Sequence, residues 1–286
     1  MKLLLGEQVI DCTDRTAIMG ILNLSDDSPI GESIVPTSAA RDRALALHDA
    51  GAEIIDVGAH STAAGKREIS AQEEIERVCP VIEAVRAAGI PVSVDTWSAE
   101  VARAAAGAGV HLLNDVTGFS DPAMRAVAAE YGLPAVVMHM RGAPKLHARA
   151  DQTYADIDAE VRAFLLERAA ALESAGTSQV WLDPGFGFGK APEDNLRLLA
   201  ALPELLATGY PVLVSASRKG FLGELLGAGD DQRAEGILEA TLAFNTLAAR
   251  LGVHIVRVHD VAAVASALAV VNGVRARLRA DASERA

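Results

Sequence analysis

The sequence predicts a single-domain (β/α)8 barrel, the TIM-barrel class of α/β folds. Short aliphatic and β-branched runs recur eight times, and each is followed by a longer Ala, Leu, Glu and Arg segment of helical period. Eight such units fit a chain of 286 residues as one barrel. Near-continuous apolar strands separated by helices form a parallel sheet, because right-handed crossovers lay the helices over its outer face.

The elements follow in order. Strand 16–24 leads to a helix near 37–50, and strand 53–59 to a helix near 71–88. Gly51 and Gly89 stand after these two helices and just before the next strand, where a left-handed C-cap belongs. Strand 91–96 precedes a helix at 98–108. Strand 111–117 precedes a helix at 121–131, whose start carries Ser120-Asp121 as N-cap and Pro122 at the first helical position. Strand 135–140 is followed by a helix at 153–175. Strand 179–185 is followed by a helix at 192–208, closed by Gly209. Strand 211–218 with a helix at 231–251, and strand 254–260 with a helix at 261–279, complete the set. Residues 1–280 read as one domain and 281–286 as a frayed, polar tail.

Composition narrows the function. A hydrophobic content of 50% with 22% charged residues describes a folded, core-forming chain. The net charge of −12 argues against a protein that coats nucleic acid or an anionic membrane, so any anion must be held focally. Cys12 and Cys79 lack metal-ligand spacing and read as reduced thiols. The start lacks a signal-peptide core, and no later run is expected to approach membrane-spanning length. The expectation is a cytoplasmic protein.

In a barrel of this class the site lies where strands end. Polar residues there are Asn23, Asp56, Asp95, Asn114 with Asp115, His139, Asp183, Ser215 with Ser217, Arg218 and Lys219, and Arg257 with His259 and Asp260. Asp115 and Asp260 fit caps or loop ties best, and His139 a hydrogen-bonded structural histidine. Asp95, Asn114 and Asp183 come from three strands and offer acceptors suited to a ring with several N–H donors, hence a nitrogen heterocycle. Arg257 and His259 lie two apart on one strand, share a face and present cationic or donor groups; with Lys219 they form a focal positive cluster suited to an anion. Opposite charges ~4 Å apart attract by about 4 kcal/mol at an effective dielectric near 20, enough to hold a diphosphate on an acidic protein. The stretch Asp183-Pro-Gly-Phe-Gly-Phe-Gly-Lys190 is neither a dinucleotide fingerprint, since Lys190 stands where the third glycine would fall, nor a Walker loop.

These residues belong to motifs that span nearly the whole chain. They are Met19-Gly-Ile-Leu-Asn-Leu24, Val94-Asp-Thr96, Leu113-Asn-Asp-Val116, Val137-Met-His-Met-Arg-Gly142, Leu182 through Lys190, Ser217-Arg-Lys-Gly-Phe-Leu222 and Val256-Arg-Val-His-Asp260. Together they resemble the dihydropteroate synthase family. The resemblance implies a transferase that joins (7,8-dihydropterin-6-yl)methyl diphosphate to 4-aminobenzoate, releases diphosphate and uses Mg²⁺, with poor inhibition by sulfonamides expected where its arylamine pocket departs from the family. It implies that Asp95, Asn114, Asp183 and Lys219 hydrogen-bond the pterin, that Met138 and Phe188 wall its slot, and that Arg257 covers its ring face. The glycines around Phe188 would let backbone pass close to a flat ligand. By the same resemblance Asn23, Thr62, Arg257 and His259 take the diphosphate, with Asn23 the metal ligand. Ser61, Thr62, Ser217 and Lys219 take the arylamine. Asp95, Asp183, Lys219 and Arg257 are then catalytic, and the chain forms a homodimer through outer helices. Partners are these small molecules, with neither nucleic acid nor membrane.

Two loops depart from the family pattern. After the first strand, Pro29 replaces an aromatic. After the second, Glu-Ser-Thr-Arg-Pro-Gly becomes His60-Ser-Thr-Ala-Ala-Gly65, so the loop arginine and proline are both alanine. The expectation is an intact pterin half and an altered arylamine half, with Lys66 and Arg67 as solvated loop cations. Two other readings stay open: a pterin transferase with a different acceptor, and a catalytically silent relative that only binds pterin. A pterin-binding methyltransferase is disfavoured by the Ser217-to-Lys219 and Arg257-to-His259 motifs.

Overall fold

The computed structural model describes residues 1–24, 37–63, 66–147 and 151–283. Eight parallel strands run β3 (Ala17–Asn23), β4 (Ile54–Gly58), β5 (Val92–Asp95), β6 (Leu112–Asp115), β7 (Ala135–Met138), β8 (Val180–Asp183), β9 (Leu213–Val214) and β10 (Ile255–Val258). They are hydrogen-bonded in the order β8-β7-β6-β5-β4-β3-β10-β9. A parallel bridge between Leu182 and Val212, with Leu182 N–H donating to Pro211 O at 2.8 Å, joins the two ends into a barrel.

Helices α1 (Thr37–Asp49), α2 (Ala71–Ala87), α3 (Ala99–Gly107), α4 (Pro122–Glu130), α5 (Ile157–Ala175), α6 (Pro192–Ala200), α7 (Leu202–Leu206), α8 (Gly220–Leu225), α9 (Ile237–Leu251) and α10 (Val261–Ser283) surround it. The punctuation behaves as its chemistry requires. Gly51, Gly89 and Gly209 hold φ of 114°, 77° and 84°. Asp121 caps α4 through the Ala123 N–H, with Pro122 inside the first turn.

Four expectations change. The expected helix at 192–208 breaks at Ala201, because Pro203 has no N–H to continue the ladder. The expected helix at 231–251 starts only at Ile237, after Gly236 at φ 82°, and α8 precedes it. The seventh strand shrinks to two residues. Its end is diverted where Arg218 adopts φ 52° and donates its N–H to Thr241 Oγ1 at 3.0 Å. The last helix extends to Ser283, into the stretch expected to fray; residues 284–286 lie outside the described residues, as does Pro29.

An N-terminal antiparallel hairpin, β1 (Lys2–Leu5) and β2 (Gln8–Asp11), was not expected. Leu3, Leu5 and Ile10 are buried against Met19, Ile54, Leu112, Val136, Trp181, Leu213 and Ile255. These are the first inward-facing residues of their strands, so the hairpin plugs the amino-terminal mouth of the barrel. Leu4 N–H donates to Gln179 Oε1 at 3.1 Å, and Gln179 Nε2 returns a bond to Lys2 O at 3.0 Å.

Successive side chains on a strand alternate faces, so the next inward position is two residues on. On five of these seven strands the chemistry there turns polar: Ile54 is followed by Asp56, Leu112 by Asn114, Trp181 by Asp183, Leu213 by Ser215 and Ile255 by Arg257, while Met19 and Val136 are followed by the apolar Ile21 and Met138. The apolar plug thus carries a polar floor. The outward positions, such as Ile55, Val57, Val92, Val94 and Leu182, form the second core under the helices.

The expectation that no run approaches membrane-spanning length is overturned. The stretch Val261–Ala280 of α10 has the length and, at a mean hydropathy of 1.4, the composition of a membrane-crossing helix. It stands here as an outer barrel helix: Val261, Val264 and Leu268 are buried. Asn272 Oδ1 accepts from Thr16 N–H at 3.2 Å, and an Arg275 guanidinium nitrogen donates to Thr16 Oγ1 at 3.1 Å. The polar anchors Asn272 and Arg275 interrupt the apolar run, which hid its length.

Candidate active site

A cavity of about 600 Å³ opens at the carboxyl ends of the strands. Every residue proposed from the sequence for a site role lines it: Asn23, Ser61, Thr62, Asp95, Asn114, Met138, Asp183, Phe188, Ser217, Lys219, Arg257 and His259. Register explains the convergence. Asn23 pairs with Gly58, Gly58 with Asp95 and Asp95 with Asn114, while Met138 pairs with Asp183, so these positions share a level of the barrel.

The floor is a carboxylate–guanidinium network. Arg257 Nε donates to Asp56 Oδ2 at 2.5 Å and its Nη2 to Asp95 Oδ2 at 2.6 Å. The fully buried Asp56 also accepts from Ser93 Oγ at 2.5 Å and Asn114 Nδ2 at 3.3 Å. Asp56 is therefore the hub that orients Arg257 and Asn114. At the strand end its role as hub is not legible in the sequence, where the one signal is an aspartate two residues after Ile54 on an otherwise apolar strand.

Burial sets the electrostatics. It pushes the Asp95 carboxyl up to about 6, against the pull of Arg257 and with the push of Asp56. It likewise raises Asp183 to about 6, opposed by the Gly185 N–H that donates to Asp183 Oδ1 at 2.7 Å. Lys219 falls to about 8 through burial and then the repulsion of Arg257. Burial also opposes the Arg257 charge, but Asp56 and Asp95 outweigh it and hold the guanidinium above its ordinary value.

For His259 the environment favours the donor role over the cationic one. Burial first, and Arg257 next, push its pKa down to about 3, so it is a neutral imidazole at physiological pH; its Nδ1 lies 3.1 Å from Ser217 Oγ. The positive cluster thus consists of Lys219 and Arg257, the latter shared with two carboxylates. His139 is set edge-on to Phe164 at 5.0 Å, and the hydrogen bond expected of a structural histidine is missing at its buried Nδ1, which has no partner among the described residues. Asp115 accepts from Thr117 and Phe119 N–H groups, and Asp260 pairs with Arg218 at 2.7 Å, so both are loop ties.

The glycine-rich loop after β8 is shaped by protein contacts. A β-carbon on Gly185 would fall 1.9 Å from His139 O, and one on Gly189 would fall 2.8 Å from Arg141 O. Gly185 and Gly189 thus admit the neighbouring loop's backbone, while Gly187 and Gly189 also line the cavity. Lys190 is buried beneath, donating to Gly185 O at 2.8 Å, Phe188 O at 3.1 Å and His139 O at 3.2 Å. The loop so held presents Phe188 to the cavity, with Lys219 Nζ 3.9 Å from the ring centroid. His147, which the sequence reading passed over, covers the same ring at 5.0 Å.

At the outer end, Ser61, Thr62, Ala63, Lys66 and His60 line the cavity. Lys66 is therefore part of the cavity wall, while Arg67 pairs with Glu73. Residues 64 and 65 lie outside the described residues.

Comparison with known proteins places this cavity. The family described as "Pterin binding enzyme" matches residues 19–259. The dihydropteroate synthase of Escherichia coli K12 is 43% identical over 258 residues, covering 89% of this chain and 90% of its own. Dihydropteroate synthase from Thermus thermophilus has been solved in complex with 6HMPPP (TM-score 0.81, 44% identity, 94% and 98% of the two chains) and with 4-aminobenzoate (TM-score 0.84, 43% identity, 96% and 99%). The Yersinia pestis enzyme, solved as a sulfonamide drug complex, superposes with a TM-score of 0.89 at 37% identity, over 97% and 100% of the chains.

Proposed function

Since the chain belongs to the dihydropteroate synthase family of pterin-binding enzymes, we propose how its cavity carries out that family's reaction. The enzyme is a transferase that joins (7,8-dihydropterin-6-yl)methyl diphosphate to 4-aminobenzoate, forming a C–N bond and releasing diphosphate. The observation that carries the assignment of roles is the meeting of Asp95, Asn114, Asp183, Lys219 and Arg257 around one cavity, with Lys219 against Phe188.

Asp183 and Asp95 accept N–H bonds from the pterin edge, and Asn114, oriented by Asp56, completes the set. Met138 and Phe188 wall the ring. Lys219 and Arg257 attract the diphosphate, with Thr62 and the neutral His259 as hydrogen-bonding groups beside it. The C–O bond breaks as the diphosphate leaves with the electron pair. The methylene cation, conjugated with the pterin, is stabilised by the carboxylates of Asp95 and Asp183. The arylamine nitrogen, held near Ser61, Thr62 and Ser217, attacks that carbon and then loses its proton. No side chain acts as a nucleophile.

Mg²⁺ fits as a guest of the diphosphate. Among the described residues no group of three or more His, Cys, Asp or Glu side chains could hold a metal ion. Asn23 lines the cavity, where its side-chain amide would supply a hard oxygen, and Mg²⁺ characteristically takes one or two protein ligands with substrate phosphates and water. When bound, the ion would neutralise charge on the leaving group.

The arylamine end differs from the family pattern at His60 and Ala63, both on the cavity wall, and this favours an altered acceptor pocket with changed sulfonamide sensitivity. We further assign a cytoplasmic location, supported by the free thiols Cys12 and Cys79, and a homodimer, supported by an apolar stripe on the outer helices. Incubating the purified protein with the pterin diphosphate, 4-aminobenzoate and Mg²⁺ should yield dihydropteroate and equimolar diphosphate. Absence of both at saturating substrates overturns the assignment; diphosphate released only with another amine moves it to the alternative acceptor.

A further inference from the structure

Lys145, which lies outside the cavity wall, ties the loop after β7 to the loop after β4. Its backbone N–H donates to Thr62 O at 2.9 Å. Its Nζ donates to Arg67 O at 2.8 Å and Lys66 O at 3.3 Å, and pairs with Glu68 Oε1 at 2.9 Å. The other Glu68 oxygen lies 3.1 Å from His60 Nε2, and His60 Nδ1 is 3.6 Å from Glu74 Oε2 on α2. The His60 ring rests on Trp97 with centroids 4.4 Å apart. A chain of polar contacts thus runs from one active-site loop, across the base of another, to a barrel helix.

Three features set these contacts apart from an ordinary surface ion pair. The Lys145 side chain is only 11% exposed, so its ammonium relies on the acceptors it has gathered. Its backbone holds φ 65°, a left-handed conformation that a residue with a β-carbon keeps only where its surroundings over-determine it. The Lys145 hydrogen bond also holds the Glu68 carboxyl below its ordinary range. His60 stands where the family pattern has glutamate; a glutamate there would face Glu68 and Glu74 with like charge, whereas an imidazole meets both carboxylates.

We infer that Lys145 is a positioning residue: its clasp on Thr62, on the carbonyls of Lys66 and Arg67, and on Glu68 sets Ser61 and Thr62 at the arylamine end of the cavity. His60 anchors that clasp to α2. The functional half of this statement rests on the proposed reaction; the mechanical half does not.

The test separates the two. Lys145→Met removes the ammonium, Lys145→Arg restores a cation, and Glu68→Gln weakens the clasp from an exposed residue that leaves the core untouched. Hydrogen exchange at the amides of Ser61, Thr62 and Ala63 in the free enzyme is expected to accelerate in Lys145→Met and Glu68→Gln and to recover in Lys145→Arg. With wild type as reference, the KM for 4-aminobenzoate is expected to rise about tenfold in Lys145→Met, the order of losing a charge-assisted hydrogen bond. Affinity for a pterin without the diphosphate, measured by calorimetry, should stay within about twofold, because the groups proposed to bind the ring lie on the barrel floor and not on this loop. Unaltered exchange overturns the clasp. Faster exchange with an unaltered KM overturns its role in positioning, and equal losses of pterin and arylamine affinity do the same. A wild-type enzyme that makes no dihydropteroate defeats the assigned reaction, while the exchange result still decides the clasp.

Discussion

Asp183 is 3% exposed, and burial lifts its carboxyl to about 6 while Lys219 beside it is lowered to about 8. Pterin capture needs the carboxylate ionised and the ammonium charged. The proposed kcat/KM for the pterin diphosphate is therefore lost as pH falls through about 6 and again as it rises through about 8, and a pH series measures both limbs. Stability runs the other way on the acid side. A carboxyl whose folded pKa exceeds its unfolded 3.8 stabilises the fold most when neutral; that contribution is complete below about 3.8 and gone above about 6. Asp183→Asn keeps an acceptor for the Gly185 N–H and removes the buried charge. It is expected to be more stable than wild type at pH 8, by up to ~2–3 kcal/mol, and unable to bind the pterin. Urea unfolding and calorimetry check the pair. Asp183 was legible as a site residue because it ends an apolar strand; its perturbed titration was not, since that depends on what surrounds it. His259 shows the same limit: a histidine two residues from an arginine reads as a cationic or a donor group, and burial beside that arginine favours the neutral donor.

Among the elements, those with strong local chemistry were legible and those formed by tertiary contact were not. The glycine C-caps and the Asp121-Pro122 start act through backbone torsion and a single side chain, and they stand where the sequence predicts them. The N-terminal hairpin has two four-residue strands, too short to declare a period, and exists because Leu3, Leu5 and Ile10 close the barrel mouth. Leu5 is fully buried, so Leu5→Ala is expected to cost about 2–5 kcal/mol of stability by chemical denaturation. Its kcat and KM at room temperature should be unchanged, because the cavity is at the other end of the strands. A loss of kcat without loss of stability would sink this account of the hairpin. The loop after β8 sits between the two cases. Its glycines announce unusual backbone, but only the placement of His139 O and Arg141 O explains why no side chain fits.

For the whole molecule, the exposed residues Leu247 and Leu251 on α9 and Val270, Val274 and Leu278 on α10 form an apolar stripe on the side away from the barrel. Spacing of four residues keeps each set on one helix face. A homodimer would bury this stripe, and Val274→Asp is then expected to shift sedimentation from dimer to monomer while leaving the KM of the remaining active enzyme unchanged. Wild type that sediments as a monomer at micromolar concentration rejects the dimer. The barrel itself was legible from eight alternating units, because parallel strands covered on the outside must be apolar along their length. That Asn23, Asp95, Asn114, Met138 and Asp183 line one cavity follows from register, since residues at equal height on different strands of a closed barrel face a common axis, whereas Ser61, Thr62, Phe188 and Lys219 reach it from loops.

By itself the sequence determined the architecture, the order of the units and the set of polar residues at the strand ends, because periodicity, capping and local motif are properties of neighbours along the chain. Only the tertiary structure decided that Asp56 is the hub of the floor, that His259 is neutral, that the glycine loop is shaped by the adjoining backbone, and that Lys145 reaches across to Thr62 and Glu68. Those are matters of burial and of contacts between residues distant along the chain, and both arise only when the barrel closes.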